Sequence, residues 1–118
     1  MCHVRADSDG ISRVLTNLID NAIKFTDQGG TIDIKIVRRG NNFEISVRNT
    51  GDGIATEDYK NIFDRFYKAD KSRGLNREGT GLGLFIVKNI MNMHGRDISL
   101  NSVAGEFTEF TFTLPAAD

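Results

Sequence analysis

The chain has 118 residues, of which 39% are hydrophobic and 26% charged, with a net charge of −1 and one cysteine. That suffices for one domain with one core and is too little for two. The charge gives no general attraction to nucleic acid, the lone Cys2 excludes an intramolecular disulfide, and neither a run of roughly 20 apolar residues nor a signal-peptide pattern occurs. A soluble domain of a reducing, cytoplasmic compartment is expected. The opening "MCHVRAD" is strand-like from its first residues, as in a piece of something longer.

From Asp9 to Phe25 the pattern is helical. Ile11, Val14, Leu15, Leu18, Ile19, Ala22 and Ile23 keep the i, i+3, i+4, i+7 spacing. Asp7, Ser8 or Asp9 can cap its start, and Gly29-Gly30 ends the region. "TIDIKIV" then alternates as a half-buried strand, "RGNN" is turn chemistry and "FEISV" alternates again, so 31–48 reads as a hairpin. Thr56 to Phe66 reads as a second helix capped by Thr56. The stretch from Tyr67 to Gly79 is polar, charged and aperiodic, a loop long enough to suggest function. A third helix, Leu82 to Met93, is apolar over most of its circumference and should be deeply packed. Strands at Asp97 to Asn101 and Thr108 to Leu114 close the chain. The order strand, helix, hairpin, helix, loop, helix, hairpin implies helices layered on one face of a mixed sheet, an α+β arrangement.

Three groups of residues could carry chemistry. On the first helix, Asn17, Asn21 and Lys24 fall within about 60° of one another, beside the apolar face. Each alone could be a solvated helix edge. Together, two amide oxygens suit Mg²⁺, and a lysine one turn on suits the phosphates such an ion carries. "NTGDGI" (Asn49 to Ile54) follows a strand, and its two glycines either make a plain turn or permit close approach by a flat ligand. The Asn49 side chain offers an acceptor for the exocyclic amine of adenine and a donor for a ring nitrogen. "GTGLGL" (Gly79 to Leu84) leads into a helix, whose N-terminus attracts anions. It matches neither the dinucleotide nor the P-loop glycine pattern, and a tight packing turn is the alternative.

Read in order, "NLIDNAIKFT", "NTGDGI", "IFDRFYKAD", "GTGLGL" and the terminal "TFTLP" resemble the N, G1, F and G2 boxes and closing strand of sensor histidine kinase catalytic domains. These belong to the superfamily that also holds the ATP-binding domains of Hsp90, gyrase B and MutL. The resemblance runs from about Asp7 to Pro115 and makes residues 1–118 one catalytic and ATP-binding domain. It implies the two-layer α/β sandwich of the Bergerat fold, a mixed sheet of about five strands with about three helices on one face. ATP would lie between the helices under a mobile lid at about 67–80. Matched position by position, Asn21 is the Mg²⁺ ligand, with Asn17 a second candidate one turn before it. Lys24 contacts phosphate, and Phe25 stands where tyrosine is frequent. Asn49, Gly51, Gly53 and Ile54 line the adenine side. Gly79, Thr80, Gly81, Leu82, Gly83 and Leu84 form the phosphate side and the lid hinge. Lys68 and Arg73 occupy the lid's basic positions, so Asn17, Lys24, Lys68 and Arg73 are the candidate catalytic set. Phe63, Phe66 and Tyr67 would anchor the lid base, with simple core packing an equal alternative for Phe63. Lys71 to Glu78 has no apolar residue but Leu75, too little to order the lid without nucleotide.

Two positions depart from the family pattern. Asn49 replaces the usual aspartate, and a neutral acceptor is weaker by about 1–2 kcal/mol than an ionised one. Phe107 stands where a further glycine is common, which favours a packing role there over a nucleotide role for Gly105. Asn17 also replaces the glutamate of the hydrolysing relatives. An amide cannot act as a general base, so ATP should be held without rapid hydrolysis. Neither His3 nor His94 resembles the phosphoacceptor, and His94 reads as the end of the third helix. The implied function is therefore transfer of the γ-phosphoryl group of Mg-ATP to a histidine on a separate dimerisation domain, with a response regulator downstream. The chain alone should be monomeric, the cytosolic part of a kinase that a membrane segment can anchor. A serine kinase of the anti-sigma-factor type and a degenerate nucleotide-binding module are the alternatives.

Overall fold

A computed structural model describes residues 4, 6–26, 28–54, 56–59, 61–64 and 83–117. The expected lid, with Lys68, Arg73, Gly79, Thr80, Gly81 and Leu82, lies outside the described residues, as do Phe66 and Tyr67.

Helix α1 spans Ser8–Phe25. Asp7 caps it: its backbone is extended, and its carboxylate accepts the Gly10 N–H at 2.8 Å, serving one of the donors that a helix start leaves unpaired. Val14, Leu18 and Ala22, four residues apart, form the fully buried ridge. A hairpin follows, β1 (Ile32–Arg39) and β2 (Asn42–Thr50), then a short 3₁₀ turn at Thr56–Asp58. Helix α2 (Gly83–Met93) leads to β3 (Ile98–Val103) and β4 (Phe107–Pro115).

The sheet runs β1-β2-β4-β3 with every pairing antiparallel. The expectation of a mixed sheet of about five strands and three helices is thus corrected, among the described residues, to four antiparallel strands and two α-helices. The strand expected at the chain start is reduced to an isolated bridge between Val4 and Ala116. The helix expected at 56–66 is not α-helical as far as it is described. Tyr59 N–H to Thr56, Asn61 N–H to Asp58 and Asp64 N–H to Asn61 are all i to i+3 bonds. Three-residue spacing stacks Tyr59 and Ile62 on one side, which lets both turn inward.

Phe43, Ile45 and Val47 of β2, Phe110, Phe112 and Leu114 of β4, and Ile98 of β3 face the helices and meet Val14, Leu18, Ala22, Val87 and Met91. The opposite face carries Glu44, Ser46, Arg48, Glu109, Thr111 and Thr113, paired across the strands. There the Arg48 guanidinium lies 3.8 Å over the Phe107 ring, the packing role expected of that phenylalanine. Phe63 packs edge-on to Phe110, with centroids 5.9 Å apart.

The apolar expectations for β1 and for α2 hold only in part. β1 is exposed along its whole length, with Ile34 at 50% and Ile36 at 54%, and Ile23 of α1 is also exposed. Its isoleucines face the correct side, opposite Val47 and Ile45, but α1 lies over β2 and leaves the outer strand uncovered. Helix α2 buries only Val87 and Met91 completely, and Met93 in its last turn is exposed.

The helices run antiparallel. The imidazole of His94, just past α2, accepts the Asp7 N–H through Nε2 at 3.0 Å, with Nδ1 2.8 Å from the Ile90 carbonyl as donor. This ties the end of α2 to the start of α1, the structural role expected of His94. Lys88 of α2 forms an ion pair with Asp97 at the start of β3. The lysine, followed by the Ile98 N–H, holds the Asp97 carboxyl below its ordinary value.

Two outcomes are expected from chemical denaturation. Met91→Ala should cost about 2–5 kcal/mol, as for a buried large-to-small change, whereas Ile34→Thr should stay within about 0.5 kcal/mol because no packed cavity is opened. Lys88→Met should cost no more than about 1 kcal/mol at neutral pH, since the pair is largely solvated. Because Asp97 is shifted downward, that difference should be present above about pH 4 and vanish as pH falls through the folded-state value.

Candidate functional site

The inward positions of three strands read Phe43, Ile45, Val47, Asn49; Leu114, Phe112, Phe110, Thr108; and Ile98, Leu100, Ser102. Each strand is apolar until its last inward residue, then polar. The register sets these three polar residues side by side, Asn49 opposite Thr108 and Thr108 opposite Ser102. Asn49 is 4% exposed and Thr108 6%, the two buried polar residues of the described chain. They form a polar floor at one end of an otherwise apolar face.

Asn49 is held in one orientation. Its Nδ2 donates to the Thr50 carbonyl at 3.0 Å. The donor expected for a ring nitrogen is thus partly committed to the backbone, while the expected acceptor, Oδ1, takes no part in that bond.

The loop that follows passes between α1 and the β3–β4 turn. A Cβ on Gly51 would lie 2.5 Å from the Phe25 carbonyl oxygen, so only glycine lets the loop reach the end of α1. Gly53 has φ +73°, and a Cβ there would lie 2.5 Å from the Val103 carbonyl oxygen. Gly51 N–H donates to the Glu106 carbonyl at 3.2 Å, and Gly105 N–H to the Asp52 carbonyl at 2.6 Å. Gly105 therefore serves the loop through its backbone. Ile54 N–H donates to Ser102 Oγ at 2.7 Å, and Tyr59 bonds the backbone of the same serine.

Asn17 and Asn21 are half-buried on α1, and Lys24 and Phe25 are exposed at its end. Nδ2 of Asn17 is buried with no hydrogen-bond partner among the described residues. Gly83 is the exposed first residue of α2, and nothing described lies within 4 Å of a Cβ built on it. Among the described residues, neither φ nor packing therefore demands glycine there. Leu84 instead packs against the core. Gly10 of α1 faces Ile90 of α2. Asn17 lies seven residues beyond Gly10 along α1 and Gly83 seven residues before Ile90 along α2, about 10 Å of helix in each case. A helix start in general offers N–H groups and the positive end of the dipole to an anion.

Sequence reasoning missed Thr108, Ser102 and Tyr59. The signal for the first two was present, a polar residue in the inward phase of an apolar strand. Only the register makes them neighbours of Asn49.

The family model for histidine kinase-, DNA gyrase B- and HSP90-like ATPases matches residues 6–118. The chain belongs to this family. It is 44% identical over 115 residues to the sensor histidine kinase WalK of Bacillus subtilis (strain 168) and 44% identical over 109 residues to the sensor protein SrrB of Staphylococcus aureus (strain NCTC 8325 / PS 47). These matches cover 96% and 92% of the chain but 19% of each relative. Among solved structures, the mycobacterial sensor histidine kinase MprB matches with a TM-score of 0.86 at 28% identity, over 96% of this chain and 76% of that one. A nucleotide-free catalytic domain of the histidine kinase ThkA matches with a TM-score of 0.79 at 34% identity, over 95% and 70%. Full-length ShkA in complex with AMPPNP matches with a TM-score of 0.84 at 29% identity, over 99% and 24%. The fold is that of histidine kinase catalytic domains, and its homologues are bacterial two-component sensors.

In a domain of this family Asn49 has a further consequence. An aspartate there could not donate to the Thr50 carbonyl and would set a buried carboxylate beside it. Asn49→Asp should cost about 1–3 kcal/mol in nucleotide-free protein at pH 7. The cost should shrink in denaturation at low pH, where the introduced acid is neutral.

Proposed function

We propose that this chain, residues 1–118, is the catalytic and ATP-binding domain of a two-component sensor histidine kinase, with its lid at about 67–80. It binds Mg-ATP and donates the γ-phosphoryl group to a histidine on a separate dimerisation domain. The observation that carries the reading is the buried amide donor of Asn17, without a hydrogen-bond partner among the described residues, on the same helix as Asn21 and Lys24. A phosphate oxygen satisfies it, and the Asn49 acceptor suits a base with an exocyclic amine. That full-length ShkA, a structural match, is in complex with AMPPNP supports nucleotide binding.

In this reading Oδ1 of Asn49 receives the adenine amine, and Gly51, Gly53 and Ile54 provide a backbone wall along the base. Nδ2 of Asn17 is a donor and suits a phosphate oxygen better than a cation, so the metal role falls on the amide oxygen of Asn21, a hard ligand of the kind Mg²⁺ takes. The bound ion supplies neutralisation of phosphate charge. Lys24 extends from the end of α1 toward the phosphates, and Lys68 and Arg73 add lid cations. Gly83, with Gly79, Thr80, Gly81, Leu82 and Leu84, brings the α2 start to the phosphates, and Phe25 borders the site.

Transfer then requires positioning and charge stabilisation more than proton chemistry. An external imidazole nitrogen attacks in line, the P–N bond forms as the bond to the bridging oxygen breaks, and ADP leaves. Asn17 has no basic atom with which to activate water, so hydrolysis competes poorly. The phosphoryl group would pass on to a response regulator, in the cytoplasm, and the chain alone would be monomeric. No helix among the described residues is long and apolar enough to cross a membrane.

Calorimetric titration with a non-hydrolysable ATP analogue, with and without Mg²⁺ and beside its GTP counterpart, tests this. Micromolar-range, adenine-selective and Mg²⁺-sensitive binding is expected. Asn21→Ala should weaken it by about tenfold or more, the scale of one interaction with a charged group, and abolish the Mg²⁺ sensitivity. Binding indifferent to base and metal would refute the assignment.

A further inference from the structure

The nucleotide loop rests on a side chain that lies outside every motif of the family resemblance. The Ser102 hydroxyl donates its one proton to the Phe107 carbonyl at 2.6 Å and accepts the Ile54 N–H at 2.7 Å. Thr108 Oγ1 lies 3.4 Å away, within reach of the remaining lone pair. The backbone of the same residue is gripped from the other side. Tyr59 OH accepts the Ser102 N–H at 2.9 Å and donates to the Ser102 carbonyl at 2.6 Å. β3 is an outer strand of the sheet, so these two groups would otherwise face the open edge. Every hydrogen-bonding group of Ser102 is thereby used, and none of its bonds is to another inward side chain of its own strand.

Of the bonds that hold the loop to the β3–β4 hairpin, those at Gly51 and Asp52 run to backbone groups of Glu106 and Gly105, which almost any sequence could supply. The bond at Ile54 depends instead on a side chain. The built Cβ of Gly53 would also lie 3.0 Å from Ser102 Oγ, so the loop sits directly on that hydroxyl. The loop begins at Asn49, fixed through Thr50, and ends at Ile54, fixed through Ser102.

We propose that Ser102, braced by Tyr59, is a positioning residue that sets the height of the 49–54 loop over the base site and so sharpens selection of adenine over guanine. The inference rests on the nucleotide reading above. It differs from a plain stabilising role in what it moves. Loss of stability lowers the folded fraction and weakens all nucleotides alike, whereas a displaced loop alters the ratio between bases.

The test titrates the wild type, Ser102→Ala and Ser102→Thr with non-hydrolysable ATP and GTP analogues, and follows amide exchange of Ile54 without nucleotide. For Ser102→Ala, affinity for the ATP analogue should fall by about tenfold, one hydrogen bond's equivalent. The ATP-to-GTP ratio should shrink, and Ile54 exchange should quicken by about tenfold while amides of β4 stay protected. Ser102→Thr, which keeps the hydroxyl, should restore the ratio. If Ser102→Ala does not fold, Tyr59→Phe, which removes only the brace, is expected to shrink the same ratio. An unchanged ratio in a folded variant, or a parallel loss for both analogues, overturns the inference alone. A wild-type chain that binds neither analogue overturns the nucleotide reading and this inference with it.

Discussion

The constraint on which the rest depends is the antiparallel register of β2, β4 and β3. Side chains of paired residues share a face, and a slip of one residue would turn each strand's apolar set from the core to solvent. With Phe43 opposite Leu114 and Leu100 opposite Phe110, the three strands present one apolar surface to the helices. The same register fixes where that surface ends, at the level of Asn49, Thr108 and Ser102. Core and site are therefore set by one pattern of hydrogen bonds. A mutation that shifted the register would destroy both.

The helices divide the labour differently. α1 is the support of the molecule, since its buried ridge crosses β2 while Asn17, Asn21 and Lys24 lie along its edge. α2 is short, and the bond between Asp7 and His94 ties its far end to the start of α1. Val87 and Met91 seat it in the core with Val14 and Leu18.

The loop from Asn49 to Ile54 shows how close approach is achieved without loss of definition. Its glycines remove the side chains that would strike the Phe25 and Val103 carbonyls. Such a segment would be loose by composition, because glycine carries the largest backbone freedom. It is held instead through its own backbone N–H and C=O groups, against the β3–β4 turn and the Ser102 hydroxyl. Flexibility of sequence and fixity of structure are compatible because the fixing partners lie elsewhere in the chain.

Much of this was legible in the sequence. The periodicity of 9–25 determined α1 and its apolar face, the alternation within 31–48 and 108–114 indicated the strands, and the amide-lysine stripe with two glycine motifs pointed to a nucleotide. Local spacing carries that information, because helix and strand periods are fixed by the backbone. Tertiary structure alone decided the rest. β1 reads as half-buried, yet it is exposed along its length because α1 lies over β2, and no periodicity reports how wide a covering layer will be. The segment after Thr56 reads as a helix, yet it tightens to 3₁₀, with Tyr59 bonded to Ser102, a residue 43 positions away. Thr108 reads as an ordinary strand residue and Ser102 as the first residue past a strand. They become part of a site only when strands far apart in sequence are set in register, a long-range choice made by burial of the whole apolar face.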